Sequence, residues 1–108
     1  MSKLAVEIER IKTELLKLSK PLKIIQFGSS VKGQLHENSD IDILIIVPDS
    51  TDGKALNLKI QTNLKRNDFP LDLIVVPESY FNQRKEWFGT LYWYAEKEGK
   101  ALYERDIA

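Results

Sequence analysis

Cysteine is absent from the 108-residue sequence, which excludes disulfides, thiolate metal sites and thiol nucleophiles and fits a reducing compartment. Net charge is absent too, since 16 basic residues balance 16 acidic ones. With no global field to hold a polyanion or a membrane surface, direct DNA binding is not expected, and any phosphate has to be held locally. Met1 to Arg10 mixes charged and apolar residues and so lacks the apolar core of a signal peptide. The longest apolar runs, Ile43 to Val47 and Leu73 to Val76, are far too short to span a bilayer. These absences read as a soluble cytoplasmic protein. With 43% hydrophobic and 30% charged residues, the chain suits one compact domain over residues 1–108, without room for a second, substrate-holding domain.

What is present alternates between helical and strand periods. Leu4, Ile8, Ile11, Leu15 and Leu18 recur at spacings of three and four, which predicts an amphipathic helix over 3–19, closed by Pro21. The expected core, 22–76, opens with a strand from Leu22 to Phe27 that ends in Gly28-Ser29-Ser30. A short helix and a polar loop follow, from Val31 to Ser39. Ile41 to Val47 is apolar nearly throughout and reads as a central strand buried on both faces. Ala55, Leu56, Ile60 and Leu64 mark a second helix, and Pro70 leads into a third strand, Leu71 to Val76. The aromatic-rich segment 78–104 reads as helical with a break near Gly89, ending in a short strand at Lys100 to Tyr103. The fold class is therefore α/β or α+β, a small sheet with helices packed on it, its strand order not legible.

Three aspartates stand where apolar strands should exclude them: Asp40 and Asp42 at the start of the second strand, Asp72 inside the third. Residues two apart on a strand share a face at about 7 Å, so Asp40 and Asp42 can converge on one ion, and Asp72 can join if its strand is the neighbour. Close carboxylates repel one another, and a divalent cation removes that penalty. All-oxygen ligation selects a hard ion, Mg²⁺ first and Mn²⁺ as a substitute. By itself the pattern more often marks a turn cap at Asp40 with Asp42 and Asp72 exposed or ion-paired than a metal site. The element before it shifts that balance. A glycine and serines directly after a buried strand build a phosphate-binding corner, in which Gly28 allows close approach, Ser29 and Ser30 offer hydroxyls and Lys32 adds a point charge. An ordinary serine N-cap is the alternative for an isolated Gly-Ser-Ser.

Phe27-Gly28-Ser29, ten intervening residues, then Asp40-Ile41-Asp42-Ile43-Leu44 resembles the polymerase-beta-like nucleotidyltransferase superfamily, in particular its minimal single-domain members. Leu71-Asp72-Leu73-Ile74-Val75 and the closing Glu98-Gly99-Lys100-Ala101-Leu102-Tyr103-Glu104 are similar to the same proteins, so the resemblance runs from Phe27 to Glu104. It implies a nucleotidyltransferase fold with a mixed sheet. It also implies two Mg²⁺ ions on Asp40 and Asp42, with Asp72 on the ion nearer the attacking hydroxyl and assisting its deprotonation. Gly28 and Ser29 would hold the triphosphate. An acceptor oxygen would attack the α-phosphate, and pyrophosphate would leave. One departure is Lys32-Gly33, where many members carry Arg-Gly; lysine keeps the charge but loses the bidentate fork.

The resemblance further implies a partner. Minimal proteins of this kind resemble the antitoxin of a toxin–antitoxin pair whose toxin is an all-helical HEPN-domain ribonuclease, silenced by transfer of AMP from ATP to its tyrosine. A second reading makes the chain a non-catalytic module that binds nucleotide and neutralises the toxin by contact. A third, a small-molecule acceptor as in the aminoglycoside nucleotidyltransferases, normally requires an additional domain. Tyr80, Phe81, Trp87, Phe88, Tyr92, Trp93 and Tyr94 crowd one stretch and cover more than one helix face, which suits an interface as well as a core. His36, the one histidine, reads as a solvated loop residue. Nucleotide preference and oligomeric state, a homo-oligomer included, stay open.

Overall fold

The α1 helix, Lys3–Leu18, starts where Ser2 Oγ accepts from Ala5 N at 3.1 Å and buries Leu4, Ile11 and Leu15. The computed structural model to which it belongs describes residues 2–32, 40–65 and 69–106, without the Lys32 side chain. After α1 come β1 (Lys23–Phe27), a 3-10 turn (Ser29–Lys32), β2 (Ile41–Val47), α2 (Gly53–Asn63), β3 (Leu71–Pro77), α3 (Glu78–Arg84), α4 (Leu91–Glu98) and β4 (Lys100–Glu104). Among the described residues the expected α-helices and strands are present, and the aromatic segment breaks at Gly89, whose φ of +87° suits a residue without Cβ.

The four strands form one mixed sheet in the order β3-β2-β1-β4. β1 pairs antiparallel with both β2 and β4, while β2 and β3 run parallel, joined by α2 as the crossover. Period-two alternation then sends side chains to two cores. Ile24, Ile41, Ile43, Ile45 and Val47 pack on α1 and α2 with Ile11, Leu15 and Ile60. Ile25, Leu44, Ile46 and Val76 pack under Phe81 of α3 and Ala95 of α4. β2 is buried at every position except Asp42, which is half-buried, so the continuous apolar run does mark a strand covered on both faces. The class is α+β, a four-stranded sheet flanked by helices.

α3 follows β3 without a linker, and its N-cap is Pro77, which has no side-chain group to offer. Asp49, in the turn after β2, supplies the cap instead: its Oδ1 accepts from Ser79 N at 3.0 Å. That backbone bond, with a second from the Ser79 hydroxyl, holds the Asp49 carboxyl below its ordinary value. A depressed folded pKa contributes stability above the ordinary value of 3.8 and loses it as pH falls through the lower folded one. Asp49→Ala is therefore expected to lower the melting temperature at neutral pH and to lose less on acidification than the parent. Melting curves at neutral and strongly acid pH check this; parallel pH profiles for the two proteins would refute the cap.

Candidate active site

The C-terminal end of β1 and the N-terminal ends of β2 and β3 lie at one end of the sheet, and of the residues singled out in the sequence Gly28, Asp40, Asp42 and Asp72 come together there. Phe27 stands opposite Asp42 across β1 and β2, and Asp72 stands beside Asp42 across β2 and β3. Ile41 N donates to Pro70 O at 2.8 Å, which pins the two parallel strands at their starts. Asp42 lies in line with Leu44 and Ile46, and Asp72 with Ile74 and Val76, so both carboxylates face the α3 and α4 side of the sheet. Asp40, two residues before Asp42, is exposed ahead of the strand. Asp72 is exposed as well, because β3 is an edge strand.

The electrostatics follow from this placement. Burial pushes the Asp42 carboxyl above its ordinary value, and the negative charges of Asp72 and then Asp40 push it further the same way. Among the described residues, none of the three aspartates forms a salt bridge. Nor, among those residues, does any group of three acidic or histidine side chains stand closed around a point at ligand distance. What the fold fixes is the register of Asp42 with Asp72 and the uncompensated charge shared with Asp40.

Gly28 closes the site on the β1 side. Its φ is +78°, and a Cβ there would run into Asp42 Oδ2, with Asp42 Cγ only 3.4 Å away. The glycine thus serves both the left-handed turn and the space for the Asp42 carboxylate. Beyond it the described chain makes a 3-10 turn, Ser29–Lys32, where a short helix is expected, and the rest of the expected helix and polar loop to Ser39 lies outside the described residues. Gly28 and Ser29 are exposed. Ser30 is not: it is buried beneath the corner, where its Oγ accepts from Gln26 Nε2 at 3.0 Å. The Lys32 side chain, Gly33 and His36 lie outside the described residues.

A cleft of about 440 Å³ opens from this corner, lined by Phe27, Gly28, Ser29 and Val31 on one side and Leu91, Tyr94 and Glu98 of α4 on the other. Those three helical residues were not singled out as site residues from the sequence. Their spacing, three and then four, puts them on one face of α4, which was a visible signal without a visible target. Past the cleft the aromatic stretch divides: Phe81 is buried and packs edge-on to Tyr92, whereas Trp87 and Phe88 are 55% and 81% exposed. The Arg84 guanidinium lies 3.4 Å from the centre of the Tyr80 ring and 5.2 Å from that of Trp87. No helix among the described residues is long and apolar enough to cross a membrane.

The model of the nucleotidyltransferase domain family matches residues 8–103. Among curated proteins no match is found. A solved structure described as a toxin–antitoxin crystal structure with AMP-PNP aligns with a TM-score of 0.51 and 27% identity, covering 90% of this chain and 73% of that one.

Proposed function

The chain belongs to the nucleotidyltransferase domain family, and we propose that it transfers AMP from ATP to a hydroxyl group of a partner protein, as the antitoxin against an all-helical HEPN-domain ribonuclease. The observation that carries the chemistry is the register that sets Asp42 beside Asp72 and against Gly28, which itself lines the cleft. The toxin–antitoxin description of the similar structure, with its ATP analogue, supports the donor and the kind of partner.

The donor set fits a hard divalent cation. It is all carboxylate, it lacks a neutralising cation among the described residues, and its central member is driven toward the protonated form by burial and then by the charges of Asp72 and Asp40. Asp40, Asp42 and Asp72 would hold Mg²⁺, which when bound offsets the charge of the phosphates and of the aspartates together. The rest falls to the chain's own residues. The exposed Gly28 and Ser29 hold the triphosphate by backbone approach and hydroxyl. Leu91 and Tyr94 give the nucleoside an apolar wall, and Glu98 accepts hydrogen bonds from its hydroxyl or amino groups. The acceptor oxygen forms a bond to the α-phosphorus, its proton passes to Asp72, and the bond to the β-phosphate oxygen breaks, with the electron pair leaving on pyrophosphate.

Intact mass spectrometry of the protein with its candidate partner, after incubation with each nucleoside triphosphate and Mg²⁺, tests this reading. The expected result is a partner heavier by one or more nucleoside monophosphates, AMP foremost, with the addition lost on Asp40→Ala and Asp42→Ala together. An unchanged partner mass in a complex that still forms would favour the second reading, neutralisation by contact. The exposed Trp87, Phe88 and Tyr94, beside the stacked Arg84, are the observation that favours such docking.

A further inference from the structure

Gln26 and Ser30 are the two buried polar side chains among the described residues, at 3% and 2% exposure. Gln26 occupies the last inward position of β1, on the same face as Ile24 and toward α1, where the pattern of the strand calls for an apolar residue. Burying an amide is costly unless it is bonded. The amide does have a partner, and the choice of partner is informative. Its Nε2 donates to Ser30 Oγ at 3.0 Å, across the corner formed by Phe27, Gly28 and Ser29. A second strap runs from Val31 N to Gly28 O at 3.2 Å. A lone 3-10 turn has poor hydrogen-bond geometry and no length over which to gain cooperativity, so straps of this kind decide its shape.

The two sides of these five residues differ. Gly28 and Ser29 face the cleft and are exposed. Gln26 and Ser30 lie on the opposite side, at the floor of a groove between α1 and β4. We propose that the Gln26–Ser30 hydrogen bond is a positioning element that holds the Gly28-Ser29 corner in the shape that receives the triphosphate, without touching nucleotide itself. The proposal rests on the nucleotidyltransferase reading above.

The test separates positioning from plain stability by removing both partners at once. Gln26→Met and Ser30→Ala singly each orphan one buried polar group and are expected to lower the melting temperature. The double variant leaves no orphan and should recover most of that loss. If the bond positions the corner, the KM for ATP in the double variant stays about threefold to tenfold above the parent, the worth of one hydrogen bond, with kcat within about twofold. Affinity for inorganic triphosphate should fall by the same factor. Amide exchange at Ser29, Ser30 and Val31 in the nucleotide-free protein should also speed up. Parental KM and parental exchange in the double variant would overturn the proposal. If the parent neither binds nor uses nucleotide, the transferase reading fails on that control, and unchanged exchange at the corner would still overturn the positioning role.

Discussion

Asp42→Asn is expected to abolish nucleotide transfer and at the same time to make the metal-free protein harder to unfold. The first effect comes from removing the central carboxylate of the site. Charge stabilisation by a held cation is worth several kcal/mol, and each 1.36 kcal/mol is tenfold in rate, so a loss on the order of 10³-fold or more follows. The second comes from the raised pKa of Asp42, caused by burial and by the charges of Asp72 and Asp40. A carboxyl whose folded pKa lies above its unfolded one is penalised when charged; the penalty is absent below the ordinary value of 3.8 and complete above the folded one. At neutral pH the parent carries it and the Asn variant does not. Melting with EDTA should therefore place the variant above the parent, and adding Mg²⁺ should raise the parent alone, by mass action on the folded state. A metal-free variant that melts below the parent would sink the electrostatic account of the site.

Gly28→Ala should fold less stably and lose transfer. Holding a residue with a Cβ in the left-handed region costs about 1–2 kcal/mol, and here the added carbon also meets the Asp42 carboxylate. Something must move, and both candidates, the corner and the carboxylate, belong to the site. A misplacement of about 1 Å can cost roughly 10²-fold in rate, so a loss of at least that size is expected, with the circular dichroism spectrum retained. Gly53→Ala is the control, because a Cβ there meets nothing within 4 Å. Transfer near the parental rate in Gly28→Ala would show that the close approach of Gly28 and Asp42 is incidental.

The sequence carried the elements well for a physical reason: each was announced by local chemistry. The run Ile41 to Val47, rich in β-branched residues, suggested a strand covered on both faces, and the apolar period from Leu4 to Leu18 marked an amphipathic helix. The site was legible in part. Whether Asp72 could join Asp42 depended on which strand lay beside β2, and pairing between strands separated by a helix leaves no local trace. Nor did β3 reveal itself as an edge, so the exposure of Asp72 came only from the sheet order. Ser29 and Ser30 look alike in a Gly-Ser-Ser corner, yet one turn of backbone puts the first in solvent and the second in the core. The α4 wall of the cleft had the right periodicity, but periodicity cannot say which side of a sheet a helix will cover.

The sheet order also bears on the assembly of the sheet. β1, which ends in the Gly28-Ser29 corner, lies between β2 and β4, and β4 is the strand of this sheet that comes last in chain order. Until β4 docks, the backbone of β1 has one bonded side and one bare side, and a bare side is an invitation to pair with another chain. Arg105 N then donates to Leu22 O at 2.8 Å, fastening the segment after β4 to the entrance of β1. The aspartates' strands can thus pair without β4, whereas the β1 side of the corner is backed on both edges only once residues 100–104 have docked.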